Sequence, residues 1–103
     1  MYSFYSKIAG VTFDNRQELI EELYDSGQLN VGQQLILVRD RYNRYDNNAV
    51  AVMHPSNRQL GFLSKDVASN VAPKMDRGTR YVVEVSGVTG VDNYGVNIRI
   101  TEV

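Results

Sequence analysis

The chain has 103 residues, 43% of them hydrophobic and 22% charged, with ten aromatic rings, which is enough for one core and predicts a single domain over residues 1–103. Without cysteine there is no disulfide framework, thiolate nucleophile or thiolate metal cluster, and the lone His54 has no second imidazole with which to build a zinc site, so neither metal nor cofactor is expected. A formal charge of −1 excludes a protein that coats nucleic acid through charge alone.

In chain order, Phe4–Val11 has the β-branched and aromatic content of a first strand, closing near Thr12 and Phe13. A helix follows, with Asp14 or Asn15 as its cap; Leu19, Ile20, Leu23 and Tyr24 recur at helical spacing, and Gly27 ends it. Gln33–Arg39 reads as a second strand, Ala49–Met53 as a third and, beyond a turn at Pro55-Ser56-Asn57, Gln59–Leu63 as a short fourth. Ser64 is placed to cap a second helix carrying Val67, Val71, Ala72 and Met75; Pro73 removes a backbone donor, so this helix either stops before it or begins a second turn there, and Gly78 closes the region. Tyr81–Val85 and Val96–Ile100 are the last strands, joined by a turn region over Gly87–Asn93. The expected fold is mainly β with two helices: a small OB-like six-stranded barrel with helices over its ends.

The longest apolar run, around Leu35–Val38, is far below the roughly 20 residues of a membrane span. MYSFYSKIAG lacks a basic n-region and an apolar stretch, so a cytoplasmic product is expected. Charge is unevenly spread: Asp14, Glu18, Glu21, Glu22 and Asp25 are opposed within residues 14–25 only by Arg16, whereas nine bases face seven acids from residue 26 onward. The acids of the first helix form a solvated face without a carboxylate dyad, His54 before Pro55 reads as an exposed turn residue, and no G-x-S-x-G or Walker A run occurs. No enzyme activity is expected.

The connection from Arg39 to Asn48 differs from scaffold in kind. Arg39, Arg41 and Arg44 alternate with Tyr42 and Tyr45, bringing charge for phosphate and flat faces for stacking between two strands. A solvated loop with local Asp–Arg pairs has the same composition, so composition alone leaves both readings open.

The run Asn43-Arg44-Tyr45-Asp46-Asn47-Asn48-Ala49-Val50 resembles the N-x-Y-D-x-N-A-[IV] signature of the HIRAN domain. Gly10–Phe13 with Asn15–Glu18 is similar to that family's first strand and helix start, Gln59–Leu63 to its Q-x-G-[HYF]-L element, and Tyr94–Ile98 to its last strand, so the likeness runs through nearly the whole chain in order. The resemblance implies an OB-like barrel that captures the 3′ end of single-stranded DNA. By family position Asp46 is the carboxylate that accepts from a terminal 3′-hydroxyl and repels a phosphate in its place. Tyr45 and Phe13 match rings that contact the terminal nucleotides, Tyr94 a stacking ring, and Lys65 a phosphate-contacting lysine at the head of the second helix. Arg41 and Arg44 supply charge from the neighbouring loop.

Structural alternatives stand beside each of these. Asp46 also suits a turn cap, Tyr45 and Phe13 also suit the core, and Tyr94 also suits cross-strand packing. The chain departs from the DNA-binding pattern at Thr12 and Asp14, where a basic residue and a second aromatic are expected, and at Phe62, where some members carry histidine. The partners expected are a single-stranded DNA 3′ end and a repair or replication protein; an RNA end has the same chemistry apart from its 2′-hydroxyl. The alternative function is a protein-interaction domain that contacts a basic partner through the acidic helix from Asp14 to Asp25.

Overall fold

The structure is a computed structural model that describes residues 2–90 and 92–103. Its elements follow the expected order: β1 (Tyr2–Lys7), α1 (Arg16–Asp25), β2 (Gln34–Arg39), β3 (Val50–His54), β4 (Arg58–Phe62), α2 (Lys65–Asp76), β5 (Tyr81–Gly90) and β6 (Tyr94–Glu102). The strands form one antiparallel sheet in the order β1-β6-β5-β2-β3-β4, curled into a half-barrel. Register shifts between Val85 and Gly87 on β5, and opposite Val52 and Met53 on β3, supply local bends of the kind that curl a sheet.

The two edges of the curled sheet meet at one point. Ala9, just beyond β1, bridges Phe62 at the end of β4 through a reciprocal pair of backbone hydrogen bonds of 2.8 and 2.9 Å. This meeting shortens the first strand relative to its sequence pattern. After Ile8, whose amide still donates to the Val96 carbonyl, the chain leaves β6 for β4, and Gly10 turns it at φ +72°. Gly61 is required at the same point, because a Cβ there meets the Ala9 carbonyl and lies 2.6 Å from Ile8 Cγ2.

Alternation on the strands fills the interior. Val50, Val52, Leu60, Val83, Val85, Val96, Ile98 and Ile100 point inward, joined by Ile20 and Leu23 of α1 and by Ala68, Val71 and Ala72 of α2. At ten residues α1 is too short to persist alone, so its stability comes from burial, roughly 1.5–3 kcal/mol for each large side chain. It packs on β4 and β6.

Four local expectations are corrected. Asn15 occupies the N-cap position of α1 but is left-handed, at φ 60°, and neither it nor Asp14 caps the helix with its side chain. Pro73 lies inside a continuous α2; the missing donor sits near the C-terminal end, and the helix closes one turn later with Gly78 at φ +99° and the Thr79 amide donating to the Lys74 carbonyl. The turn predicted over Gly87–Asn93 is shorter than expected, since β5 continues to Gly90 and β6 starts at Tyr94, while Val91 lies outside the described residues. His54 is buried rather than exposed. Its Nε2 lies 3.0 Å from the Gln28 carbonyl and its Nδ1 accepts the Ser56 amide at 3.0 Å, which assigns the proton to Nε2 and makes the ring a strut between β3 and the segment after α1.

Gly61→Ala should lower unfolding stability by about 1–3 kcal/mol, the usual range for overpacking, because the closing bridge must open to admit the methyl group. Denaturant titration measures the loss. Faster exchange of the Ala9 and Phe62 amides locates it.

Candidate nucleic-acid interface

The closing bridge forms the floor of an open cleft of about 730 Å³. Three segments line it: Ala9 to Arg16 between β1 and α1, Asn43 to Ala49 between β2 and β3, and Phe62 to Lys65 at the junction of β4 and α2. Of the residues expected from the sequence, Phe13, Tyr45, Asp46 and Lys65 line this cleft, whereas Arg41, Arg44 and Tyr94 do not.

The β2–β3 loop organises itself around Asn43. The Asn43 Oδ1 accepts the amides of Tyr45 at 2.9 Å and Asp46 at 3.1 Å, while its Nδ2 donates to Asp40 Oδ2 at 3.1 Å. Asp46 continues the pattern: its Oδ1 accepts the Asn48 amide at 2.9 Å, and its carbonyl accepts the amide of Ala49 at the mouth of β3. The turn-capping reading of Asp46 is therefore correct for one carboxylate oxygen, and Oδ2 has no protein hydrogen-bond partner among the described residues. This arrangement holds a half-buried acceptor at a fixed place in the cleft wall.

The rings have separated into two groups. Phe13 is 67% and Tyr45 79% exposed, values that rule out a core role and leave ring surface open to stacking. Arg44, which does not line the cleft, lies over the Tyr45 ring, 5.9 Å from its centre. Tyr94 instead leans on α1, with its ring 6.2 Å from that of Tyr24, and its backbone is clasped by Gln17, which both accepts from the Tyr94 amide at 2.6 Å and donates to its carbonyl at 2.9 Å. Burial, then the carboxylates of Glu21 and Asp25 and the ring of Tyr24, push the Tyr94 phenol above its ordinary range.

Charge is similarly divided. Lys65, the first residue of α2, is exposed at the cleft, where the Ser64 hydroxyl caps the helix by accepting the Val67 amide. Arg41 points to the far end of α2, its Nη2 3.0 Å from Asp76 Oδ1, beside Arg39, whose Nε lies 3.2 Å from the same oxygen. Two guanidinium groups thus offset an acid at a helix C-terminus, where it is unfavourable.

Two cleft residues escaped the sequence reading. Arg16 is buried with its guanidinium carbon 5.4 Å from the centre of the Phe62 ring, Nη1 donating to the Gly10 carbonyl at 2.9 Å and Nη2 3.4 Å from Asp14 Oδ2. The one sequence signal for it was a single base among five acids. Asn43 carries no role in the motif resemblance, and its function as the loop's hydrogen-bond hub emerges only from the folded backbone. A second hollow of about 580 Å³ flanks α2, but its Lys74 and Glu102 pair with each other at 3.5 Å and none of the expected residues lines it.

A half-open antiparallel barrel whose loops build one cleft has the architecture of the OB-like binding modules. The HIRAN domain model matches residues 1–102, and the chain belongs to the HIRAN domain family, a class of nucleic-acid-binding domain. The chain is 32% identical over 78 residues to the helicase-like transcription factors of Oryctolagus cuniculus and Homo sapiens, covering 76% of this chain but 7% of each of those proteins. It is 39% identical over 56 residues to a putative SWI/SNF-related matrix-associated actin-dependent regulator of chromatin from Arabidopsis thaliana, covering 54% of this chain and 6% of that protein. Among solved structures, the HIRAN domain of human HLTF superposes with a TM-score of 0.72 at 24% identity, over 97% of this chain and 74% of that one. A Lactobacillus plantarum protein superposes with a TM-score of 0.64 at 22% identity, over 96% of this chain and 98% of that one. At these identities the two superpositions establish the fold.

Asn43→Ala should cost about 1–2 kcal/mol, since it strips two amides of their acceptor, and hydrogen exchange should speed up first at Tyr45 and Asp46. The Tyr94 phenol should titrate above the ordinary value of 10.0 and move back toward it in Glu21→Gln, as read by NMR of the ring carbon. Because each cause of the shift penalises the phenolate, this group leaves stability unchanged below the ordinary value and lowers it as pH rises from that value through the raised one.

Proposed function

We propose that this domain captures the free 3′-hydroxyl end of single-stranded DNA in the cleft above the Ala9–Phe62 bridge. The observation that carries the reading is that Asp46, one of whose carboxylate oxygens has no protein hydrogen-bond partner among the described residues, lines a single cleft with the exposed rings of Phe13 and Tyr45 and with Lys65. A carboxylate accepts from a terminal hydroxyl and repels a terminal phosphate, so it selects the end of a strand over its interior and a hydroxyl end over a phosphorylated one. The rings stack on bases without regard to sequence, at roughly 1–3 kcal/mol per base. Lys65, with Arg44 behind Tyr45, attracts the backbone.

Binding is the whole activity in this reading. Among the described residues no group of histidines and carboxylates is arranged to hold a metal ion, and the one imidazole is engaged as a structural strut. No helix is long and apolar enough to cross a membrane. In this reading the domain marks DNA ends for a repair or replication partner in the cytoplasm. Tyr94 favours a second reading, since with Tyr24, itself 45% exposed, it sets aromatic surface beside the acids of α1. On that reading α1 contacts a basic protein, and the cleft is a remnant.

Fluorescence anisotropy with a short 5′-labelled strand separates the two. A 3′-hydroxyl strand should bind at least about tenfold more tightly than its 3′-phosphate counterpart, a difference of about 1.4 kcal/mol, and Asp46→Ala should erase the preference. Affinity for the hydroxyl strand should fall as salt rises, with a logarithmic slope of roughly −0.7 per phosphate contacted. Equal affinity for both ends refutes end recognition. No binding at low salt leaves the α1 reading, and a ribonucleotide-terminated strand in the same assay reports any preference for RNA.

A further inference from the structure

We propose that Arg16 is the seat for a backbone phosphate next to the captured end and that Asp14 is its displaceable counter-ion, a reading that rests on end capture in the same cleft. Both residues line the cleft, from the segment that leads into α1. Arg16 is the one arginine or lysine that is buried among the described residues, with its side chain 9% exposed. One face of the guanidinium rests on Phe62, and Nη1 is anchored on the Gly10 carbonyl at the closing bridge, so the group is held in position before any ligand arrives. A guanidinium has five N–H donors, and the hydrogen bond to Gly10 uses only one of them.

The partner that neutralises this cation is poorly held. Asp14 Oδ2 stands 3.4 Å from Nη2, well beyond the roughly 2.7–2.9 Å of a strong charge-assisted hydrogen bond, and the Asp14 side chain is 81% exposed. Because the Asp14 carboxylate stays largely in solvent, it gives up little when an incoming anion takes its place beside the buried guanidinium. A phosphodiester offers a pair of negative oxygens that the planar fork of a guanidinium can bind bidentately. Asp14, a departure from the family's DNA-binding pattern, thus sets a threshold: neutral or weakly charged ligands leave the pair intact, while a phosphodiester displaces it.

Asp14→Asn tests this directly, because asparagine also tolerates the left-handed backbone observed at φ 56°. The probes are two short 5′-labelled strands with 3′-hydroxyl ends, one of ordinary phosphodiesters and one with a neutral methylphosphonate at the last linkage. Asp14→Asn should bind the ordinary strand about three- to fivefold more tightly than wild type and gain nothing on the methylphosphonate strand. Arg16→Gln, with its melting temperature measured alongside, should lose about tenfold or more on the ordinary strand only. No gain in Asp14→Asn, or an equal gain on both strands, overturns the inference while end capture stands on its own hydroxyl-versus-phosphate result. A gain confined to the ordinary strand, without preference for the hydroxyl end, upholds the phosphate seat and overturns end capture. Absence of binding by every variant to either strand overturns both.

Discussion

The reciprocal pair of hydrogen bonds between Ala9 and Phe62 is the constraint on which the rest of this structure depends. Six short strands can curl without closing, and an open edge leaves a row of unpaired backbone groups. Here the edges are joined at one residue pair, which is possible only because Gly61 has no side chain to hold β4 away from the Ala9 carbonyl. The bridge turns the chain at Gly10, sends it across to Phe13 and aims Arg16 back beneath Phe62. Closure and cleft are one feature, because the residues that complete the barrel are also the floor on which the loops stand.

The cleft walls follow a different logic. The loop from Asp40 to Ala49 is held largely by side chains: Asn43 and Asp46 satisfy backbone amides that the sheet does not reach, and Arg39 at the end of β2 donates to the Asn47 and Ala49 carbonyls. Holding the loop this way spends one carboxylate oxygen of Asp46 and leaves the other in the cleft. Tyr45 is carried outward on the same turn, where packing does not claim it. The hydrogen bonds that hold the loop and the groups it presents to the cleft therefore share residues, and the exposure of Tyr45 is a consequence of how the loop's backbone is satisfied.

Electrostatics within the cleft are balanced, with Arg16 and Lys65 set against Asp14 and Asp46. The two cations differ in kind. Arg16 is fixed and desolvated beside an aromatic ring, whereas Lys65 is exposed and mobile on a flexible stem at the start of α2. The acids differ as well, since Asp46 is tied to its turn while Asp14 extends into solvent. A near-neutral chain thus gathers opposite charges in one cleft, without the broad basic surface that its composition excluded from the outset.

The sequence by itself determined the order of six strands and two helices and the family-bearing loop, because periodicity, glycine positions and turn residues act over a few residues at a time. Phe13, Tyr45, Asp46 and Lys65 were legible as one cluster through motif resemblance, though not from their chemistry alone. Tertiary structure decided what depends on which edges meet. Sheet closure ended β1 at Lys7, packing against α1 drew Tyr94 away from the cleft, and the long-range contact with Gln28 buried a histidine that its neighbours marked as exposed. Arg16 shows the same limit most clearly: nothing in a row of helical acids distinguishes a solvated base from one seated under Phe62, because that ring arrives from a strand more than forty residues away.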